Sequence, residues 1–130
     1  MPKQTLQILT ETFSVHSFDH DQAVPEIIFS SPIYFISKTY DELSVVCPSS
    51  IKLDSLEHED NWVAFEVLGP LGFSLTGILS NISGVLAAAK ISIFAVSTFD
   101  TDYILVKKDS VDTAIKELRS DGYRVLTDAS

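Results

Sequence analysis

The spacing of apolar residues changes several times between residues 62 and 126. An aromatic and branched run at 62–68 predicts a buried strand. The next apolar positions follow one helical face: Ile78, Leu79, Ile82, Val85, Leu86 and Ala89. Strands at 91–96 and 103–106, a second amphipathic helix from Val111 to Leu118 and a last strand at 123–126 follow. This β-α-β-β-α-β order predicts a ferredoxin-like α+β fold.

The first 61 residues carry a weaker pattern. Residues 6–18, 33–36 and 43–46 predict strands, whereas 23–31 is too short and too interrupted by proline for a good helix. Residues 49–61 are polar and acidic, and we expect a linker there with a helical turn around 53–56.

An internal repeat connects the two parts of the chain. IYFISKTYDELSVV at 33–46 matches SIFAVSTFDTDYILV at 92–106 with one inserted residue, so that Glu42 aligns with Asp102. The repeat predicts two modules in tandem: a degenerate one at 1–57 whose first helix is eroded, and a complete one at 58–130.

Composition narrows the function. The chain has 130 residues, 45% of them apolar, and a net charge of −9, which argues against a nucleic-acid partner. Its single cysteine and three histidines show no metal-ligand spacing, and no apolar run is long enough to span a membrane. A start without a signal-peptide pattern and a lone cysteine favour the cytoplasm.

The turn before the first predicted helix is the best candidate for chemistry. Gly72 and Gly77 allow close approach of a ligand to the backbone, and Thr76 is a plausible N-cap. Exposed N–H groups at a helix N-terminus suit a carboxylate. The chain has no nucleophile elbow, metal-ligand cluster or Walker-type phosphate loop, so we expect neither an enzyme nor a cofactor.

Three stretches resemble the ACT-domain family of the CASTOR-like type, in which ACT modules occur in tandem: LQIL at 6–9, PLGFSLTGILSNISGVLAAAKISIFAVSTF at 70–99 and DYILVKKD at 102–109. Bacterial proteins of this size are similar. The resemblance implies a regulatory module that binds a small molecule, usually an amino acid, between paired modules. It also implies a homodimer that pairs through the C-terminal halves.

The resemblance also implies which residues contact the ligand. They are Gly72, Phe73, Ser74, Leu75, Thr76, Gly77, Ile78, Leu79, Asn81, Ile82, Thr98, Phe99 and Asp102. Asn81 and Ile82 match positions that the partner module contributes. The CASTOR arginine sensors have two acidic residues where this chain has Ser74 and Leu75, so the resemblance does not extend to arginine specificity.

Each feature has a structural alternative. Asp102 can cap a turn, Phe99 and Tyr40 can be packing residues, and Asn81 can belong to a solvated helix face. The small, uncharged side of the first helix can instead contact another protein surface. The alternative function is therefore a structural or protein-interaction module with the ACT fold, whose ligand site is collapsed by Phe73 and Leu75.

Overall fold

The computed structural model of the chain describes residues 3–68 and 77–127. The described residues form seven strands and two α-helices, and four of the strands precede the first α-helix. In order, they are β1 (Thr5–Asp19), β2 (Phe35–Lys38), β3 (Glu42–Pro48), β4 (Glu57–Val67), α1 (Ile78–Ala88), β5 (Ile93–Ser97), β6 (Asp102–Lys107), α2 (Val111–Ser120) and β7 (Arg124–Leu126). Short 3-10 helices lie at Glu26–Ser30 and Lys108–Ser110.

The contacts within the chain define two compact units. The C-terminal unit combines Met1–Thr10 with Val63–Ser130, and the N-terminal unit is Glu11–Trp62. β1 and β4 contribute residues to both units because each strand is long, 15 and 11 residues respectively. This division differs from the two modules expected at 1–57 and 58–130. The tandem arrangement of those modules stays a prediction from the sequence repeat.

The C-terminal unit has the predicted element order from β4 to β7. Its strands lie in the order β5-β6-β4-β1, and β7 pairs in parallel with β1 through the register Thr5↔Arg124 to Gln7↔Leu126. The β1 residues of this unit therefore lie between β4 and the last strand. The sequence pattern identified each of these strands but carried no signal for this pairing, because alternation defines faces and not neighbours.

The two helices of the C-terminal unit bury one face each. α1 places Ile82 and Leu86 at 0% exposure, and α2 does the same with Ala114 and Leu118. Ile78, Leu79, Val85 and Ala89 pack around this core with partial exposure. Full burial of one such leucine or isoleucine stabilises the fold by roughly 1.5–3 kcal/mol, so this face, as predicted, holds α1 in place.

The N-terminal unit has the strand order β2-β3-β1-β4. The 3-10 helix Glu26–Ser30 occupies the position of the eroded first helix and inserts Ile28 into a small core. The other fully packed members of this core are Phe18, Leu43, Val45 and Cys47. A single five-residue turn thus supplies the apolar cover that a helix would otherwise give.

The expected linker at 49–61 is partly wrong. Residues 57–61 belong to β4, and no helical turn forms at 53–56. The Leu56 N–H donates to the Ser17 carbonyl at 2.9 Å, which continues the pairing with β1. The polar composition of 57–61 concealed a strand whose stability comes from this neighbour and not from its own side chains.

The two repeated segments form equivalent β-hairpins without an insertion. β2 and β3 pair with Lys38 opposite Leu43, and β5 and β6 pair with Ser97 opposite Asp102. Both turns therefore have four residues, and Glu42 corresponds to Thr101. The predicted inserted residue and the match of Glu42 with Asp102 are wrong, because the sequence comparison could not see the turn register.

The same threonine closes both turns. The Thr39 N–H donates to the Glu42 carbonyl at 2.9 Å, and the Thr98 N–H donates to the Thr101 carbonyl at 2.8 Å. In return, the N–H groups of Glu42 and Thr101 donate to the hydroxyls of Thr39 and Thr98, at 3.1 and 3.2 Å. The repeat seen in the sequence thus extends to individual hydrogen bonds.

Candidate ligand site at the start of α1

Part of the predicted ligand loop lies outside the described residues. This applies to Gly72, Phe73, Ser74, Leu75 and Thr76. The site is therefore built from what surrounds the loop: the end of β4, the start of α1 and the turn between β5 and β6.

Gly77 forms the start of α1. It is the N-cap residue, with φ 80° and ψ −1°, a left-handed conformation that strongly favours glycine. Its carbonyl accepts from the Asn81 N–H at 2.9 Å. Thr76 was predicted as the N-cap, and this prediction is wrong because the cap position falls on Gly77.

The electrostatics at this helix end favour an anion. No side chain among residues 3–68 and 77–127 caps α1, and its first turn contains no acidic residue. The N–H groups of the first turn carry a partial positive charge that an acidic residue would normally offset. A carboxylate that approached Gly77 and Ile78 would meet this charge and the donors together.

The β5–β6 turn lies beside the end of β4. The Thr101 hydroxyl donates a hydrogen bond to the Val67 carbonyl, at the last residue of β4. Because β4 leads into the predicted loop, this bond places the turn at the end of the unit where that loop starts. Thr101 was missed by the sequence reasoning, although it stands inside the polar corner that drew attention to its neighbours.

The three predicted residues of this corner have different surroundings. Thr98 closes the turn through its hydroxyl, so the capping role considered for Asp102 belongs to Thr98. Asp102 is half-buried opposite Ser97. Phe99 is 79% exposed at the tip of the turn. An exposed aromatic ring beside a carboxylate can contact both apolar and cationic groups.

Three predicted residues of α1 face the protein instead. Ile82 is completely buried in the core, and Ile78 and Leu79 are partly buried against it. Their side chains face the core, so a ligand could contact these residues only through main-chain N–H groups. Such groups lack a partner within the helix only in the first turn. This limits Ile82 to a packing role within the chain.

Asn81 connects the two helices of the C-terminal unit. Its amide nitrogen donates to the Asp121 carboxylate at 3.3 Å and to the Tyr123 hydroxyl. Lys3 also forms an ion pair with Asp121, and these two donors, Lys3 first, hold the pKa of that carboxyl below its usual range. Asn81 is thus exposed but hydrogen-bonded, and it forms more than a solvated face.

An open groove runs between the two helices. It has a volume of about 720 Å³ and is lined by Gly77, Ser80, Asn81, Gly84, Val85, Ala88, Glu117, Ser120 and Asp121. Ser80, Asn81 and Ala88 on the α1 side of the groove belong to the small, uncharged side of the helix that the sequence pattern indicated. The groove begins at Gly77 and so adjoins the candidate ligand site.

Tyr103 on β6 and Glu66 on β4 form a polar pair that the sequence reasoning missed. The Tyr103 hydroxyl lies 3.5 Å from the Glu66 carboxylate. Burial, followed by the charge of Glu66, raises the pKa of Tyr103 above its ordinary value. Because neighbouring residues of a strand point to opposite faces, these two side chains lie on the sheet face opposite to Asp102 and Val67 and form a separate polar pair.

The described residues contain no group of three or more His, Cys, Asp and Glu side chains placed to hold a metal ion. None of the helices among them is long and apolar enough to cross a membrane.

Comparisons with known proteins identify the domain in the C-terminal part of the chain. Residues 57–120 match the ACT domain family model, and residues 11–51 match a model of a separately defined N-terminal domain. The chain is similar to the cytosolic arginine sensor for mTORC1 subunit 1 of Mus musculus, with 32% identity over 129 residues, 92% of this chain and 39% of the sensor. For the Bos taurus sensor the identity is 42% over 78 residues, 58% of this chain and 23% of that protein.

Solved structures extend the comparison. A crystal structure of a protein from Agrobacterium tumefaciens has a TM-score of 0.91 and 30% identity, and covers 100% of this chain and 97% of that one. Aspartate kinase from Clostridium acetobutylicum matches with a TM-score of 0.64 and 16% identity over 88% of this chain and 34% of the kinase, which shows a shared fold alone.

The fold and the matches define an α+β protein with an ACT domain in its C-terminal part. Residues 57–120 match the ACT domain family, and the chain is similar over 92% of its length to the mouse cytosolic arginine sensor. It spans less than half the length of the curated relatives it matches, 39% for the mouse protein.

Proposed function

We propose that the chain is a regulatory module that binds a free amino acid at the start of α1. The observation that carries this proposal is the N-terminus of α1 at Gly77, which no described side chain caps, in the same unit as a turn that Thr101 ties to the end of β4. The amino-acid carboxylate accepts from the main chain of the first helical turn and of the loop 72–76. Phe99 and Asp102 contact the ligand side chain, and Thr98 fixes their turn.

The relatives support this class of function. Several are named as cytosolic arginine sensors, and fold neighbours include regulatory subunits of aspartate kinase. In this proposal the protein acts in the cytoplasm, without catalysis or a cofactor, and signals through its binding state. A second copy pairs through the C-terminal half, where the α1 side of the groove presents an uncharged surface.

A melting-temperature screen against the twenty amino acids tests the proposal. A ligand at 100 times its Kd adds about 2.7 kcal/mol of stability, which corresponds to a shift on the order of 8–14 °C for a chain of this size. Asp102→Asn should weaken or remove the shift for the ligand identified in the screen. Asp112→Asn, an exposed change of equal charge on α2, is the matched control and should keep the shift.

Each variant is compared with its own unliganded melting temperature, so that a change in basal stability does not count as a change in binding. An undiminished shift in Asp102→Asn would remove Asp102 from the site. The absence of any shift in the wild type would reject amino-acid binding.

The groove between the helices supports a second candidate, a protein-interaction module. Its α1 wall is exposed and uncharged at Ser80, Gly84 and Ala88, in a chain with a net charge of −9. Gly84→Lys places a long cation in this groove and tests the role of the groove in self-association by sedimentation velocity. A dimer that survives the change would place the pairing surface elsewhere.

A further inference from the structure

The N-terminal unit contains a buried histidine that the proposed function does not use. His16 on β1 is only 3% exposed. Its Nδ1 lies 2.9 Å from the Ser55 hydroxyl, whereas its Nε2 is buried and has no hydrogen-bond partner among the described residues. Ser55 belongs to the segment 49–56, which we call the cover segment.

The partner-free nitrogen defines the protonation state of His16. A buried N–H without an acceptor costs more than a buried lone pair, so Nε2 carries no proton and Nδ1–H donates to Ser55. Protonation of Nε2 would create a buried cation whose new N–H has no acceptor. The closed cover segment therefore requires a neutral His16.

Other ionisable groups surround His16 on the same side of the unit. From β4, the His58 ring stacks on it at 5.5 Å between centroids, and the His58 Nε2 lies 3.5 Å from the Asp60 carboxylate. Asp60 also accepts from the Ser14 hydroxyl at 2.7 Å. Burial is the main cause that lowers the pKa of His16. A cationic His58 and Lys52 of the cover segment lower it further, and Asp60 opposes them.

The cover segment is held by a small number of contacts. Its two ends are tied to β1, where the N–H of Ser49 donates to the Thr12 carbonyl and that of Leu56 to the Ser17 carbonyl, each at 2.9 Å. Ile51 and Leu53 pack on the small core with partial burial. Between these ends, the Ser55 hydroxyl accepts from the His16 Nδ1–H, so the segment has a polar contact with the same ring whose Nε2 has no acceptor among the described residues.

We propose that His16 is a proton-sensitive latch, in which uptake of a proton at Nε2 releases the cover segment from the N-terminal unit. Opening gives Nε2 access to water, which is the acceptor that it lacks in the closed form. The open form then binds a proton at the ordinary midpoint, near pH 6.5, while the closed form resists it.

The sign of the pH dependence follows from this difference. The closed form has the lower His16 pKa, so its stability is complete above pH 6.5 and falls as the pH decreases below that value. With a neutral His16 in the closed form, the opening equilibrium rises about tenfold between pH 7.5 and pH 5.5. Above pH 7.5 the change is small.

Hydrogen exchange of the full chain at the two pH values tests this proposal. Exchange rates in peptides from residues 49–56, corrected for the intrinsic effect of pH, should rise about tenfold at pH 5.5 in the wild type. His16→Gln keeps a polar group that cannot take up a proton and should abolish the increase. The control His20→Gln changes an exposed histidine and should retain it.

An increase below about twofold in the wild type, or an equal increase in His16→Gln, would overturn the latch. If His16→Gln does not fold, carbon-13 NMR of the histidine rings in the wild type decides. The proposal expects a neutral His16 with the proton on Nδ1 at pH 6.5. Titration of His16 at its ordinary midpoint with unchanged exchange in the cover segment would contradict it.

Discussion

Substitution by alanine should change the stability of the chain in opposite directions at two glycines, one at the N-cap of α1 and one within the helix. Gly77 is the N-cap residue of α1 and has a left-handed backbone with φ 80°, whereas Gly84 lies in the middle of the helix. A Cβ added at either position meets nothing within 4 Å, so space does not distinguish them. Only the backbone conformation does.

The magnitudes follow from this conformation. In Gly84→Ala, the substitution removes the entropic cost of a helical glycine and should stabilise the chain by about 0.5–1 kcal/mol. In Gly77→Ala, a left-handed alanine costs roughly 1–2 kcal/mol, and the gain from a stiffer unfolded chain offsets about 0.4–1 kcal/mol of this. The net result is a destabilisation of about 1 kcal/mol.

Chemical denaturation of the two variants and the wild type measures both effects. The dependence of the unfolding free energy on denaturant concentration should be the same in all three proteins. The midpoint should be higher than in the wild type for Gly84→Ala and lower for Gly77→Ala. In thermal unfolding, each change corresponds to roughly 3–5 °C. If Gly77→Ala stabilises the chain as much as Gly84→Ala does, Gly77 does not have a left-handed conformation. The geometry of the proposed carboxylate site would then be refuted as well.

Three further changes test other parts of the account. Leu86→Ala should cost about 2–5 kcal/mol, because the side chain is fully buried in the core, whereas Phe99→Ala at the exposed turn should change stability by less than about 0.5 kcal/mol; urea unfolding distinguishes them. Thr101→Val should cost about 0.5–1.5 kcal/mol in the same assay through its lost hydrogen bond to β4, and a neutral result would separate the turn from the strand end. Since the pKa of Tyr103 is raised, stability should decline as the pH rises above 10, and Tyr103→Phe should reduce this decline.

The local order of the C-terminal unit could be read from the sequence because its signals are periodic. The apolar residues of α1 repeat at the helical period, and the two most buried, Ile82 and Leu86, are among those the period selects. The pairing of β7 with β1 could not be read, since it joins residues more than a hundred positions apart. The strand at 57–61 was missed because its polar side chains carry no strand pattern.

The candidate site was partly predictable for similar reasons. Glycine at position 77 indicated a special backbone conformation, and the structure assigns it a positive φ. Ile82, by contrast, was predicted from the resemblance as a ligand contact, although its own helical spacing marked it as a core residue. Thr101 escaped notice because its hydroxyl bonds to a main-chain carbonyl 34 residues away, which no local pattern records.

The latch residues show what composition alone conceals. His16 lies 42 positions before His58 in the sequence, and the histidines show no metal-ligand spacing. β1 and β4 bring them together, and burial then turns an ordinary imidazole into a group that resists protonation. Such clusters depend on strand pairing and cannot be predicted before it is known.

The central claim is that an amino acid binds at the start of α1, and amide chemical shifts test it most directly. The ligand from the screen is titrated into nitrogen-15 labelled protein. The account predicts saturable shifts at residues 77–79 and 98–102, with a carboxylate-free analogue losing the effect at residues 77–79. Shifts confined to other parts of the chain, or none with any of the twenty amino acids, would contradict it.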